Sequence, residues 1–380
     1  MSELFPITQH WSWGTFFLYA GVSYLAVFLC KKGAAANAGK TCSNHLVGRF
    51  NHYYVCAAMI LTLLATIRSL EVGVDTHKYV SEFLNASEMQ FDLKHLFSFH
   101  QMEPGYQLVL MLTRALTDNY HILFFVVYAP LSFAYILFIS HFYSEKGSYV
   151  FLPLFIFYFV SNMSGMRAGM ATIFLLYSFI LIDQKKYIKA IIVTLVACAF
   201  HYTMLFNFYV ILMTWLFAKP QVRKRRWLWT VGLLLSVALS GVALSGVQML
   251  LAGTKYEYYL RTGGNQSFLG SIVFVIYGVI ALLYYDRIID KDTKYSQLLI
   301  MTLAFLAAYP MIYLTGAYRI PYYYILPRLV IWDYSARQVE CKVDPKYRMM
   351  VRIGLCMIVF VYLLFRFTRA SVDGAFAYKL

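Results

Sequence analysis

When the apolar runs of this chain are threaded through a bilayer, seven ionisable residues gather at one face: Asp75, Glu103, Arg114, Arg167, His201, Arg261 and Arg319, among many tyrosines. Few carboxylates, several arginines and aromatic platforms make a specific mix. Guanidinium forks match the oxygens of phosphates in pairs. Tyrosine rings offer flat faces to the apolar C–H faces of sugars. A carboxylate or an imidazole serves as general base toward a hydroxyl. Each residue also has a plain reading. A tyrosine near a span end belongs to the interfacial aromatic belt, and Arg114 and Arg261 read as solvated or snorkelling side chains. Asp75 and Glu103 are harder to set aside, because each lies beside a membrane-associated segment, Gly73-Val74-Asp75 and Glu103-Pro104-Gly105-Tyr106.

The element that must position the central pair is residues 161–203, which reads as a helical hairpin. One arm, about Ala168–Ile182, starts at Arg167. The tip is Asp183-Gln184-Lys185-Lys186, and the second arm, Tyr187–Phe200, ends at His201. Arms of nearly equal length return their open ends to one level. At ~1.5 Å per residue each arm is roughly 22 Å long, short of a ~30 Å hydrocarbon core, so Arg167 and His201 sit somewhat sunken at one membrane face. Packed helices lie ~8–10 Å apart, close enough for both side chains to serve one substrate. Gly165 and Gly169 flank Arg167 at a spacing that admits another helix. A snorkelling anchor for Arg167 and a packed polar cap for His201 are the plain alternatives. Two such residues facing each other at an apolar edge favour a site.

Composition places these elements in a membrane. The chain is 61% hydrophobic and 13% charged, with a formal net charge of +15 and a mean hydropathy of +0.60. That is a polytopic membrane protein. The basic residues occupy short loops between apolar runs, so the charge follows the positive-inside pattern and nucleic acid is not an expected partner. Met1–Gln9 has no basic region of the kind that opens a removable signal peptide. The six cysteines show no paired or metal-ligand spacing, so neither disulfides nor a metal site is expected. The Asn-x-Ser/Thr matches at Asn85, Asn162 and Asn265 are of the kind chance supplies.

About twelve spans are expected: 13–30, 53–70, 122–142, 149–162, the two hairpin arms, 202–217, 227–251, 268–285, 295–314, 320–334 and 351–367. The loop Lys219–Arg226 is the strongest basic segment, which puts it in the cytoplasm and both termini, Arg167 and His201 outside. The fold class is all-α, one transmembrane helical bundle over residues 1–380. Residues 71–119 form an external subregion that covers the site. Within it, Tyr79, Val80, Phe83 and Leu84, and then Phe91, Leu93, Leu96 and Phe97, have the apolar spacing of helices lying at an interface. Pro104–Leu116 is too short to span and begins with proline, as helices often do. It reads as interfacial or re-entrant. No internal repeat is evident.

Gly73-x-Asp75-x-x-x-Tyr79, Glu103-Pro104-Gly105-Tyr106, Arg167-x-Gly169 and Phe200-His201 together resemble the successive motifs of the EpsG family, a branch of the Wzy-type polysaccharide polymerases. The resemblance runs from about Gly73 to Tyr209, and more weakly to Tyr318-Arg319. It implies a multi-pass protein of the bacterial inner membrane, similar to integral-membrane glycosyltransferases, with its site at the outer leaflet or periplasmic side. Its substrates would be oligosaccharide repeat units on undecaprenyl diphosphate, joined into exopolysaccharide, capsule or O-antigen. A chain-length regulator and a flippase are candidate partners beside the bilayer itself. The leaving diphosphate needs preorganised cations. Arg167 is the first choice for this role and Arg319, near Pro321, the second. No Asp-x-Asp motif lies among the residues read as external, so neither metal nor cofactor is expected at the site. Tyr79, Tyr106 and Tyr318 are the candidate sugar platforms.

Three residues remain candidates for the base: His201, Glu103 and Asp75. His201 is preferred, because an imidazole titrates near neutral pH and stands opposite Arg167. Glu103 begins a short helix whose dipole favours its ionised form, and Asp75 would orient the acceptor. A lipid-linked oligosaccharide flippase or other secondary transporter is the first competing class, but transporters carry repeats and midplane polar sites. A membrane O-acyltransferase is the second, but it needs a reactive group within reach of a cytoplasmic acyl donor.

Overall fold

The computed structural model describes residues 12–38, 50–88, 102–144, 147–217, 293–314 and 320–369, with scattered residues between 227 and 288. The expected spans 227–251 and 268–285 lie largely outside these residues. The amphipathic helix at 91–97, Arg261, Tyr318 and Arg319 lie wholly outside them.

The described residues fold as helices without strands. In chain order they are α1 (Trp13–Ala36), α2 (His52–Thr66), α3 (Thr76–Leu84), α4 (Pro104–Leu116), α5 (Tyr120–Phe142), α6 (Phe155–Ser164), α7 (Met166–Asp183), α8 (Tyr187–Cys198), α9 (Phe206–Phe217), α10 (Thr293–Leu314), α11 (Ile320–Tyr323), α12 (Ile325–Lys342) and α13 (Arg348–Arg369). Four segments are long and apolar enough to cross a membrane: Trp13–Ala36, Tyr120–Phe142, Met166–Asp183 and Pro345–Phe365. Shorter apolar helices accompany them at 52–66, 152–164, 187–198, 202–217 and 295–309. Large apolar side chains also face outward, such as Ile188, Ile192 and Leu195 on α8 and Ile353 and Met357 on α13. Such a surface suits lipid rather than water. The chain is a helical membrane protein.

Local chemistry sets the helix ends. Ser12 and Asn119 accept the backbone N–H groups of Thr15 and His121 at 3.1 and 2.9 Å, capping α1 and α5. Glu103 precedes Pro104, which drives its backbone out of the helical region, so α4 starts at Pro104 with Glu103 extended at its N-cap. Buried Tyr106, Leu110 and Thr113 form one face of α4, which lies against α3 and α5. At the hairpin tip Lys185 takes φ +58. Lys186 N–H then reaches back to the Leu181 carbonyl at 2.9 Å, a tight left-handed helix stop.

The expected hairpin is present as α7 and α8, packed along each other, with α5 also packed against α7. A buried polar knot joins it to the rest. Asn207 on α9 donates to the Ser178 and Thr194 hydroxyls at 3.0 and 2.9 Å and accepts from the Tyr324 hydroxyl at 3.1 Å. Away from water such bonds fix helix register. Near the tip, His141 of α5 meets Asp183 at 2.8 Å. The expected span 320–334 is longer than its apolar run and broken at its start into α11 and α12. It runs on to Lys342 because its polar groups have partners. Asp333 accepts the Tyr143 hydroxyl and the Phe151 N–H at 2.7 and 2.8 Å, and Glu340 faces Ser148 and Arg352.

Candidate functional site at the open end of the hairpin

Three breaks in regular structure meet at the open end of α7 and α8. The first is Gly165, where α6 stops and α7 begins one residue later. Arg167 therefore stands in the first turn of α7. The second is the end of α8, where Ala199–His201 leave the helix and His201 takes an extended backbone before a 3-10 turn, Tyr202–Leu205. The third is the start of α4 at Glu103.

A main-chain contact locks the second break to the third. Gly105 N–H donates to the Ala199 carbonyl at 2.8 Å. A Cβ on Gly105 would lie 2.9 Å from that oxygen and 3.1 Å from the Phe200 ring, so no larger residue permits the approach. The Phe200 ring also stacks on Phe174 of α7 at 5.2 Å.

Glu103 is the hub. Its carboxylate is 1% exposed. Oε2 accepts from the Arg167 guanidinium at 2.8 Å, and Oε1 lies 3.2 Å from His201 Nδ1. A buried carboxylate demands such compensation, and here it has a cation on one oxygen and a hydrogen-bonding imidazole on the other. Arg167 is framed by the Tyr79 and Tyr106 rings, with its guanidinium carbon 5.9 and 6.0 Å from their centroids. The two rings meet edge to face at 5.7 Å. Arg167 Nε is buried without a hydrogen-bond partner among the described residues.

The tyrosines also carry charge information. The Tyr106 hydroxyl donates to Glu82 Oε2 at 3.3 Å. Burial pushes that hydroxyl well above its usual range, with Glu82 adding to the rise, so it stays a neutral donor. Burial likewise raises the Glu82 carboxyl, opposed by the nearby Arg167 and Lys78 charges.

Of the residues singled out from the sequence, the structure joins Glu103, Arg167, His201, Tyr79 and Tyr106. Tyr79 and Tyr106 are 1% and 0% exposed, so what they offer is a frame for the guanidinium. Asp75 is placed one step back, half-buried at the start of α3, where its carbonyl accepts the Tyr79 N–H at 3.1 Å. Arg114 is tied to Asp118 and to the Leu84 carbonyl, an anchor between α4 and α3. Gly73, at φ +100, brings the α2–α3 connection against Ser164: a Cβ there would lie 3.0 Å from the Ser164 Cα. Arg68 went unremarked in the sequence, yet it is fully buried within that connection. Its signal is its position, a cation two residues beyond the end of α2 and just short of the Gly73 motif.

The family model described as the EpsG family matches residues 51–380. The chain belongs to the EpsG family. No curated protein and no solved structure matches it. The match to the EpsG family takes in Glu103, Arg167 and His201 together with every helix that places them, from α2 to α13. Membership ties this EpsG-family chain to exopolysaccharide production at a membrane. Chemically, the trio presents a fixed cation beside an imidazole whose tautomer a carboxylate can set.

Proposed function

We propose that this protein polymerises oligosaccharide repeat units carried on undecaprenyl diphosphate, by glycosyl transfer at the outer leaflet. The observation that carries the reading is Glu103 bridging Arg167 and His201 at the open end of the hairpin. His201 holds its proton on Nδ1, facing Glu103 Oε1, which makes Nε2 the basic atom. Nε2 takes the proton of the acceptor sugar's hydroxyl. That oxygen bonds to the anomeric carbon of the donor, and the bond from this carbon to the diphosphate oxygen breaks. Undecaprenyl diphosphate leaves with the electron pair, and its new charge falls beside Arg167. The guanidinium keeps one arm on Glu103 and turns its remaining N–H groups, Nε among them, to phosphate oxygens. Arg319 is the second candidate for the same anion and Tyr318 the remaining candidate sugar platform. Asp75 orients the acceptor. About twelve spans, with the loop at 219–226 in the cytoplasm, put the trio on the periplasmic side of the inner membrane, where a flippase would deliver substrate and a chain-length regulator would act.

The test is purified protein in lipid vesicles with a defined undecaprenyl-diphosphate oligosaccharide. A ladder of products spaced by one repeat unit is expected, and EDTA leaves it intact. Movement of the lipid-linked substrate between leaflets without a ladder would instead mean a flippase.

A further inference from the structure

We infer that Arg68 is a positioning residue for Arg167, acting through the carboxyl end of α6; the inference rests on the reading of Arg167 as the diphosphate ligand. Arg68 is 0% exposed. Its guanidinium donates to the Met163 carbonyl at 2.7 Å, to the Tyr128 hydroxyl at 3.0 Å and to the Ala65 carbonyl at 3.1 Å. The Tyr128 hydroxyl itself donates to the Met163 carbonyl at 2.9 Å. One backbone oxygen thus receives two buried donors, one of them charged. The guanidinium carbon also sits 4.3 Å from the Phe124 ring centroid and 4.6 Å from that of Tyr128.

The place of that oxygen gives the arrangement its meaning. Met163 lies in the last turn of α6, where carbonyls lack helical partners and the helix dipole is negative. A cation there satisfies both needs. Two residues later the chain breaks at Gly165, and two residues after that comes Arg167. A carbonyl pinned at 163 therefore sets the direction in which α7 starts, and with it the azimuth of Arg167 toward Glu103. The Gly73 backbone, in the same connection as Arg68, packs against Ser164 beside the same break. Among the described residues Arg68 has no acidic partner, so the α6 terminus and the two aromatic rings are what hold its charge in place.

A displacement of about 1 Å at a charged substrate ligand can cost up to ~100-fold. Arg68→Lys keeps the charge but cannot reach Met163, Ala65 and Tyr128 together, and Tyr128→Phe removes the second donor to Met163 and one acceptor of Arg68 while leaving the Arg68 bonds to the Met163 and Ala65 carbonyls. Donor-lipid affinity and turnover are measured for both variants, alone and in an Arg167→Ala background, with thermal stability recorded for each. Arg68→Lys is expected to weaken donor binding about 10- to 100-fold and Tyr128→Phe less, while in the Arg167→Ala background neither changes binding further. That non-additivity is the mark of action through Arg167. Losses that add fully to that of Arg167→Ala, or unchanged binding in Arg68→Lys, would overturn the inference. If Arg167→Ala itself binds donor normally, the diphosphate role of Arg167 fails instead. A Tyr128→Phe variant of native stability with weakened binding keeps the test valid even where Arg68→Lys does not fold.

Discussion

Replacing Glu103 by glutamine probes the whole trio with one atom changed. The carboxylate offers an acceptor on each side, Oε2 to Arg167 at 2.8 Å and Oε1 to His201 Nδ1 at 3.2 Å. Glutamine offers one acceptor and one donor. Arg167 can only donate, so it claims the amide oxygen, and the amide NH2 then faces His201. Nδ1 must now accept, the imidazole proton moves to Nε2, and the basic atom disappears from the acceptor side. A carboxylate-to-amide change that traps the wrong tautomer in an unrelated serine protease lowers kcat by ~10⁴, which is about 5.5 kcal/mol of barrier. The pair with Arg167 adds an opposite effect. Unit charges ~4 Å apart attract by roughly 4 kcal/mol at an effective dielectric near 20, and the 20% exposure of the Arg167 side chain screens part of that. Freed of a competing anion, Arg167 should hold the donor diphosphate at least as tightly as before. Glu103→Gln is therefore expected to bind donor lipid normally or better while turnover falls ~10³- to 10⁴-fold. Binding would be read by titrating labelled donor into nanodiscs and turnover from the product ladder. Turnover within about tenfold of native would refute the tautomer argument. A dead Glu103→Gln beside a nearly native His201→Ala would make Glu103 itself the base.

Four further outcomes follow from the geometry. Arg167→Ala should lose about 2.7–4 kcal/mol of transition-state stabilisation, and Arg167→Lys should recover little of it because an ammonium lacks the fork; native rates in both would leave Arg167 an anchor. Gly105→Ala drives a methyl against the Ala199 oxygen and should cost ~1–3 kcal/mol of stability along with most activity. Gly73→Ala, strained at φ +100 as well, should be at least as damaging, and unchanged melting and activity in either variant would contradict the close approaches. Glu82 has its carboxyl raised in the folded state, so its contribution to stability is full at low pH and is lost as pH rises through the folded value; Glu82→Gln should therefore stabilise more at pH 8 than at pH 5, and the reverse order in thermal melts would count against the buried placement. Single cysteines on a cysteine-free background should be labelled by an impermeant thiol reagent from outside at 256–261 and not at 219–226; the opposite pattern would invert the site's orientation.

Local signals made much of this protein legible as sequence. Apolar runs of span length, basic loops and a proline after Glu103 are properties of neighbouring residues, and neighbours determine helices and their starts. α4 begins and ends where the pattern put it, at Pro104 and Leu116. The hairpin tip at Asp183–Lys186 was likewise local, but the helical arms proved unequal, 18 residues in α7 and 12 in α8, and the non-helical Ala199–His201 carries the second arm on to Glu103. What tertiary structure alone decided is which groups face inward and what they meet. Tyr79 and Tyr106 have the composition of sugar platforms, but packing turned both inward to frame a guanidinium. Arg68 looked like any cation near a span end until the fold closed over it and gave it the carbonyl end of a helix 95 residues away. The length of α12 depended on partners for Asp333 and Glu340 that come from distant segments. Glu103, Arg167 and His201 are 64 and 98 residues apart from the glutamate outward, and long-range contacts such as the Gly105–Ala199 backbone bond and the α7–α8 packing make them one site. A buried charge is tolerated only beside its partner, so the identity of that partner is information the folded chain holds and the linear one does not.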